Sequence, residues 1–149
     1  MNEAGIDYYR DIAINYGRMY IGDFYSWGGN TPDGFDCSGL IIEILKAVGI
    51  VGRNVDTTAT GLYEMFKQFK TDKPCRGCLA LWYNDKKAIV HVEMCIDYRL
   101  SLGASGGGSN TKTKDDAIRD GAFIKIRPIM GRGRECVFVD PFMALRNIE

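Results

Sequence analysis

The first half of the chain carries apolar residues at intervals of three and four, the spacing that places side chains on one face of an α-helix. This pattern predicts helices over residues 4–19, 38–48 and 58–69. A glycine directly after the second of these segments is typical of a helix C-terminus. Residues 22–36 are rich in glycine, and the turn-forming sequence at 30–34 lies among them. We therefore predict a loop without regular structure between the first two helices.

Beyond Pro74 the pattern changes to short runs of β-branched, aromatic and other apolar residues, which predict strands. Four strands are predicted, at Cys78–Tyr83, Ala88–Asp97, Arg99–Ala104 and Ala122–Arg127. The Gly- and Ser-rich segment from Gly103 to Thr113 is predicted to be a polar loop. Because the helices come first and the strands follow, the order favours an α+β fold with N-terminal helices packed on a small antiparallel β-sheet. A chain of 149 residues suits a single domain over residues 1–149.

The charge balance argues against several classes of protein. The chain has 19 Lys and Arg and 19 Asp and Glu residues, so no net field draws it to nucleic acid or to an anionic membrane. Its longest apolar stretch, Leu40 to Val51, is interrupted by Glu43 and Lys46 and is too short to span a bilayer. The N-terminus lacks the basic and then apolar order of a signal peptide. We expect a chain made in the cytoplasm, with no membrane insertion and no nucleic-acid partner.

Five cysteines, an odd number, favour free thiols and a reducing site of synthesis over a disulfide framework. Cys75 and Cys78 have the spacing of half a zinc site or of a redox pair, and with Cys95 and Cys136 they could form a four-cysteine zinc site. No second pair at matching spacing follows them. We therefore favour small buried apolar side chains at these four positions and expect neither a metal nor a cofactor.

The fifth cysteine, Cys37, lies where the second predicted helix begins. The first backbone N–H groups of a helix have no internal partner and carry partial positive charge, so they favour a thiolate and can hold an oxyanion. The chain has one histidine, His91, and alternation along its strand puts His91, Glu93 and Cys95 on one face. If that face looks at the helix start, His91 is the base for a Cys37 nucleophile.

Three segments of the chain resemble the NlpC/P60 family of papain-like cysteine peptidases. They are Tyr25-Ser26-Trp27-Gly28-Gly29, Gly34-Phe35-Asp36-Cys37-Ser38-Gly39-Leu40 and His91-Val92-Glu93-Met94. A fourth segment, Arg76 to Trp82, is similar to the Gly-Asp-Leu-Val-aromatic strand of the family, with Cys78 where aspartate is usual. The resemblance implies the papain-like NlpC/P60 fold and the hydrolysis of peptide bonds in the stem peptides of bacterial peptidoglycan. In the family this is commonly the bond from γ-D-glutamate to a diamino acid.

Carried over by position, the resemblance implies a role for each matching residue. Cys37 is the nucleophile that forms an acyl-enzyme, and His91 is the general base that later protonates the leaving amine. Tyr25 matches a tyrosine whose hydroxyl helps to hold the oxyanion, although its local sequence is equally typical of a half-buried loop anchor. Asp36 and Ser38 are expected to cap and brace the start of the helix.

The chain departs from the family at the third polar residue, which orients the histidine. That residue usually lies about twelve positions after the histidine, where this chain has Gly103. The candidates to replace it are Glu93, Ser101, Ser105, Asn110 and a backbone carbonyl. We favour Glu93 because it shares a face with His91, although two such residues lie about 7 Å apart along a strand. The alternative for Glu93 is a charged residue that closes the cleft or contacts substrate amines.

Two other functions remain open from the sequence. An amidase or acyltransferase of the wider papain-like group would use the same thiol chemistry on a different bond. A non-catalytic phage tail-assembly module on the same fold is the second, and Gly103 is its main support. The sequence from Gly103 to Ser109 resembles phage- and prophage-encoded members of the family. That likeness implies peptidoglycan peptides as the binding partner and a phage tail or another delivery partner as the route to the cell wall.

Overall fold

The structure, a computed structural model, describes residues 1–31 and 34–148. Its helices are α1 (Glu3–Arg18), α2 (Cys37–Ala47), α3 (Ala59–Phe66) and α4 (Lys114–Asp120), with short 3-10 segments at Lys67–Phe69 and Pro141–Asn147. Its strands are β1 (Asn30–Thr31), β2 (Gly34–Phe35), β3 (Lys70–Thr71), β4 (Leu79–Tyr83), β5 (Ile89–Cys95), β6 (Leu100–Ser105), β7 (Phe123–Pro128) and β8 (Cys136–Val139). Within the described ranges, no helix has the length and apolar character needed to cross a membrane.

Six strands form one antiparallel sheet in the order β3-β8-β4-β5-β6-β7. Helix α2 packs on β5 and β6 with one side and on α1 with another, while α3 packs on β5. Apolar side chains of α2, among them Leu40, Ile41 and Ile44, are fully buried in the core between these layers. The predicted α+β fold, with N-terminal helices on a small antiparallel sheet, is confirmed.

The helices and strands predicted from periodicity are present, and the differences concern segments that only pairing defines. The glycine-rich loop contains the short antiparallel pair β1 and β2, so the prediction of no regular structure over residues 22–36 is wrong. The turn predicted at Pro32 and Asp33 lies outside the described residues. The predicted strand Arg99–Ala104 and the predicted loop Gly103–Thr113 overlapped, and Gly103 to Ser105 belong to β6, because β7 supplies their pairing partners.

Three described elements were not predicted from the sequence, although the run Cys136-Val137-Phe138-Val139 in β8 has the β-branched and aromatic residues of a strand. Strand β8 is four residues long and becomes regular by pairing with β4 on one side and with the two-residue β3 on the other. Helix α4 has a largely polar sequence and starts with a capping box, in which Thr113 and Asp116 exchange side-chain and backbone hydrogen bonds. Such elements depend on neighbours and caps more than on an apolar periodicity.

The cysteines differ from the expectation of free thiols. Cys75 and Cys78 are joined in a disulfide, whereas Cys37, Cys95 and Cys136 are free. The Cys-x-x-Cys turn brings the two Cα atoms within 5.2 Å, because Gly77 takes a φ of 86° that other residues rarely adopt. Within the described residues, the one group with metal-ligand chemistry combines this pair with Asp140, so the structure does not assemble the four-cysteine site considered from the sequence.

A buried ion pair joins the first helix to the end of the chain. Arg10 on α1 donates from both terminal guanidinium nitrogens to the carboxylate of Asp140, at 2.9 and 2.7 Å, and also to the carbonyl of Arg76. Only 8% of the Arg10 side chain and 10% of the Asp140 side chain are exposed. Asp140 also accepts the backbone N–H of Phe142, so this carboxylate organises the start of the last 3-10 segment.

We expect Asp140→Ala to lower the free energy of unfolding by about 3–5 kcal/mol, because the buried Arg10 guanidinium loses both hydrogen bonds to a carboxylate and keeps only one carboxylate contact, the 3.6 Å contact of its Nε with the exposed Asp7. Denaturant unfolding monitored by circular dichroism measures the change. The control is Glu3→Ala, which removes the exposed pair between Glu3 and Arg146 and should cost less than about 1 kcal/mol. Equal effects of the two substitutions would contradict a structural role for the buried pair.

Candidate active site

Cys37 is the first residue of α2, and Asp36 is the N-cap. One carboxylate oxygen of Asp36 accepts the backbone N–H of Gly39 at 2.6 Å and the hydroxyl of Ser38 at 3.3 Å. The other accepts the N–H of Gly28 at 3.1 Å. Asp36 therefore caps the helix and ties the preceding loop to it, as expected. The first turn leaves the N–H groups of Cys37 and Ser38 without intrahelical partners, next to the sulfur.

The loop that carries the Gly28-Gly29 pair lies directly on the start of α2. The carbonyl oxygen of Gly29 accepts the N–H of Asp36 at 2.9 Å. A Cβ atom at Gly39 would lie 2.0 Å from that same oxygen, so only glycine fits at this position of the helix. Gly39 is thus needed for a close backbone approach that holds the Cys37 turn in place.

A β-bulge precedes the histidine. In the pairing of β4 with β5, Trp82 lies opposite His91 and Tyr83 lies opposite Ile89, so Val90 is the extra residue. A bulge bends its strand and increases the local twist, which changes the direction of the side chain that follows. Further along β5, Val92 and Met94 enter the core beneath the helices and Cys95 enters a second apolar cluster, which confirms the predicted alternation.

The imidazole of His91 and the thiol of Cys37 line one cleft with a volume of about 480 Å³. The other residues that line the cleft are Tyr25, Trp27, Asp36, Ser38, Thr58, Ala59, Ile89, Val90, Gly107, Gly108 and Arg134. Cys37 is half-buried, and 22% of the His91 side chain is exposed, so both groups are accessible from the cleft. The structure therefore brings the two sequence-predicted residues, which are 54 positions apart, to one place.

Glu93 contacts His91 directly. Its Oε2 atom accepts a hydrogen bond from Nε2 of His91 at 2.6 Å, which leaves Nδ1 as the ring nitrogen available to Cys37. The Glu93 side chain is fully buried, so it neither closes the cleft nor reaches substrate amines, and that alternative is wrong. A carboxylate of the same strand thus occupies the orienting position relative to the imidazole.

Gly103 provides the space for Glu93. A Cβ atom at Gly103 would lie 2.3 Å from Cγ and 2.9 Å from Cδ of Glu93, so any side chain there would displace the carboxylate. Among the other candidates, Ser101 donates to Glu93 at 2.7 Å, Ser105 accepts a hydrogen bond from Arg127, and Asn110 is exposed. The glycine and Glu93 therefore form one alternative arrangement in place of a polar residue at position 103.

Arg132 completes this arrangement, and sequence reasoning missed it. Its guanidinium donates to both carboxylate oxygens of Glu93, at 2.8 and 3.0 Å, and to the hydroxyl of Ser101 at 3.1 Å. It also lies over the ring of Trp82, 4.2 Å from the centroid. The available signal was the run Gly131-Arg132-Gly133-Arg134, a local basic segment in a chain without net charge.

These contacts shift two pKa values in opposite directions. Burial alone would raise the pKa of Glu93, but the hydrogen bonds and charges of His91 and Arg132 outweigh it and lower the pKa to about 2. Burial alone would lower the pKa of His91, but its interactions with Cys37 and Glu93 outweigh it and raise the pKa to about 9. The imidazolium form is therefore favoured near neutral pH, and it is the form that can stabilise a thiolate and donate a proton.

Tyr25 lies in the wall of the cleft and is buried. Burial, followed by the nearby Cys37 and Asp36, raises the pKa of its hydroxyl, so the group stays protonated and can act as a hydrogen-bond donor. Together with the free N–H groups of the first helical turn, this donor can stabilise negative charge beside the sulfur. A thiol, a proton-carrying imidazole and donors for an oxyanion are the components of acyl-transfer chemistry.

Because the chain has a single histidine, an NMR titration of untagged protein reports His91 without ambiguity. We expect a pKa of about 9 in the wild type. In Glu93→Gln the loss of the negative partner disfavours the protonated ring, so the pKa should fall by roughly 1–3 units. Glu64→Gln, which removes an exposed carboxylate paired with Lys67, is the control and should leave the titration unchanged. A His91 titration that is the same in Glu93→Gln and wild type would rule out the assigned contact.

A double-mutant cycle tests the steric relation of Gly103 to Glu93. Gly103→Ala should destabilise the protein by roughly 1–3 kcal/mol because the new methyl group overlaps the Glu93 side chain. In a Glu93→Ala background the same substitution should cost at least about 1 kcal/mol less, since most of the overlapping atoms are gone. Gly108→Ala, where a Cβ meets no atom within 4 Å, is the control for adding a methyl group. Additive costs at positions 93 and 103 would contradict the proposed overlap.

Comparisons with known proteins show what this chain is similar to. The sequence model of the NlpC/P60 family matches residues 22–127. The probable peptidoglycan endopeptidase LytE of Bacillus subtilis is 28% identical over 95 residues, which cover 64% of this chain and 27% of that protein. The chain therefore spans about a quarter of the length of this curated relative.

Solved structures share the fold. An NlpC/P60 family protein from Bacillus cereus superposes with a TM-score of 0.68 at 24% identity, over 86% of this chain and 39% of that one. The peptidoglycan hydrolase RipB from Mycobacterium tuberculosis superposes with a TM-score of 0.70 at 19% identity, over 95% of this chain and 68% of that one. The family model covers the segment from the glycine-rich loop to β7, and with it the cysteine turn and the histidine strand. The chain belongs to the NlpC/P60 family.

Proposed function

We propose that the chain is a peptidoglycan hydrolase that cleaves peptide bonds of cell-wall stem peptides through Cys37. The observation that carries the proposal is the hydrogen bond of 2.6 Å from His91 to the buried Glu93, in a cleft that His91 shares with a cysteine at a helix N-terminus. The names of the relatives support the substrate class, because LytE is a probable peptidoglycan endopeptidase and RipB is a peptidoglycan hydrolase.

The geometry suits a two-step acyl transfer. The Cys37 thiolate attacks the carbonyl carbon, and the negative charge moves to the carbonyl oxygen, where the N–H of Cys37 and the hydroxyl of Tyr25 donate hydrogen bonds. The tetrahedral intermediate collapses to a thioester as His91 gives its proton to the leaving amine. His91 then takes a proton from water, and the hydroxide attacks the thioester carbonyl. The C–S bond breaks, which releases the acid product and restores the Cys37 thiolate. Glu93 holds the imidazole in one orientation and stabilises its charged form throughout.

The finer substrate in this proposal is the bond from γ-D-glutamate to a diamino acid, which the resemblance to the family implies. We also propose that the chain acts at the cell wall, reached through a phage tail or another delivery partner. An amidase or acyltransferase would use the same groups, so the identity of the products decides between these reactions. A non-catalytic module was considered because Gly103 cannot orient the histidine. The contact of Glu93 with His91 speaks against that alternative, because Glu93 can orient the imidazole instead.

We expect Cys37→Ala to reduce the release of peptide fragments from purified peptidoglycan by at least about 10³-fold, because no other group supplies the nucleophile. Mass spectrometry of the soluble products measures the rate and shows whether a peptide bond or a sugar amide was cleaved. Cys136→Ala is the matched control and should retain activity, since burial raises the pKa of that thiol to about 12. Undiminished hydrolysis by Cys37→Ala would exclude the proposed mechanism, and products cut only at the sugar amide would favour an amidase.

A further inference from the structure

A second, smaller pocket adjoins the cleft on the far side of His91. It has a volume of about 200 Å³ and is lined by Trp82, His91, Ser105, Gly106, Arg127, Arg132 and Arg134. His91 and Arg134 border both this pocket and the cleft, so the two spaces lie next to each other. Cys37 lines only the cleft, which places the pocket beyond the imidazole as seen from the sulfur.

The pocket has more positive charge than its own residues neutralise. Of the three arginines, Arg132 is paired with Glu93. Arg127 donates to the neutral hydroxyl of Ser105, and within residues 1–31 and 34–148 neither Arg127 nor Arg134 has a carboxylate within ion-pair distance. The nearest acidic residue in sequence, Glu135, is paired with Lys87. Two guanidinium groups at one small pocket are therefore available to an anionic ligand.

Trp82 gives independent support. The residue is 2% exposed, and its indole Nε1–H is buried without a hydrogen-bond partner among the described residues. A buried donor without a partner is costly, so a small movement of the side chains around the pocket that brings an acceptor to this N–H would be favourable. Arginines and an indole N–H are all donors, so the chemistry of the wall selects an acceptor with negative charge. A carboxylate fits a pocket of this volume and these donors.

We propose that Arg127, Arg134 and Trp82 form a subsite that binds a carboxylate on the leaving-group half of the substrate. This inference rests on the proposed function, in which His91 protonates the leaving amine, so the residue with that amine lies on the His91 side of the cleft. The carboxylate belongs either to the main chain of that residue, when it is C-terminal, or to its side chain, as in a diamino dicarboxylic acid. Both sources present the same group to the arginines.

Three synthetic peptides with the same γ-D-glutamyl acyl half test the subsite. The leaving residue is lysinamide, lysine with a free α-carboxylate, or diaminopimelic acid with its α-carboxylate amidated. We expect kcat/KM to be about 10- to 100-fold higher for at least one carboxylate peptide than for the lysinamide peptide. The peptide with the higher kcat/KM shows whether the subsite binds the main-chain or the side-chain carboxylate. In the double variant Arg127→Gln/Arg134→Gln this ratio should fall close to one.

Arg99→Gln, which removes an exposed arginine in the turn between β5 and β6, is the matched control and should keep the wild-type ratio. Equal kcat/KM for all three peptides in the wild type would overturn the inference while leaving the proposed hydrolysis intact. A ratio that survives in the double arginine variant would overturn it as well.

A binding measurement separates the subsite from catalysis. The chain has two tryptophans, so its NMR spectrum contains two indole N–H signals, and Trp27→Phe assigns them. We expect N-acetylalanine to shift the Trp82 signal and its carboxamide to leave it unchanged. If no peptide is cleaved but this shift is present, the subsite stands and the proposed hydrolysis fails. If the carboxylate produces no shift at millimolar concentration, the subsite is excluded.

Discussion

A carboxylate buried away from water needs hydrogen-bond donors and an opposite charge, and Glu93 obtains both within the sheet. His91 and Arg132 donate to one of its oxygens, and Ser101 and Arg132 donate to the other. These four donors come from β5, β6 and the segment before β8, so the requirement of one side chain brings three parts of the chain together. An unpaired carboxylate at this depth would be strongly destabilising, and the arrangement of the site follows from avoiding that state.

The same constraint explains why Gly103 lies where the family usually has a polar residue. Glu93 approaches the imidazole along its own strand, and its side chain fills the space above position 103. The orienting group can therefore come from either strand, but only one of the two positions can carry it. Arg132 then becomes necessary, because a carboxylate in place of a neutral group adds a buried negative charge. An orienting carboxylate at Glu93, in place of a polar residue at position 103, therefore requires both Gly103 and Arg132 as well.

The cysteine side of the cleft depends on backbone contact instead of buried charge. Asp36 caps α2, and the Gly29 carbonyl lies against Gly39 in that helix, so the first turn is held from both sides. Rigid support on one side and a charged hydrogen-bond network on the other place the thiol and the imidazole in one cleft. The three arginines of the adjoining pocket differ in their pairing: Arg132 is paired with Glu93, whereas Arg127 and Arg134 have no carboxylate within ion-pair distance among the described residues.

Local sequence patterns were enough to predict most of the secondary structure and two of the site residues, because helical spacing, strand alternation and glycine-rich motifs depend on residues close in sequence. They were sufficient for the main helices, four of the strands, the α+β fold and the choice of Cys37 and His91. Glu93 was selected for sharing a face with His91, but a spacing of about 7 Å along a strand argued against contact. Only the tertiary structure decided that contact, since it depends on the bulge at Val90, the empty volume at Gly103 and the charge of Arg132, 39 residues away from Glu93. The position of strand β8 between β3 and β4 and the disulfide were also decided by the tertiary structure, because pairing partners and distances between Cα atoms are properties of the folded chain.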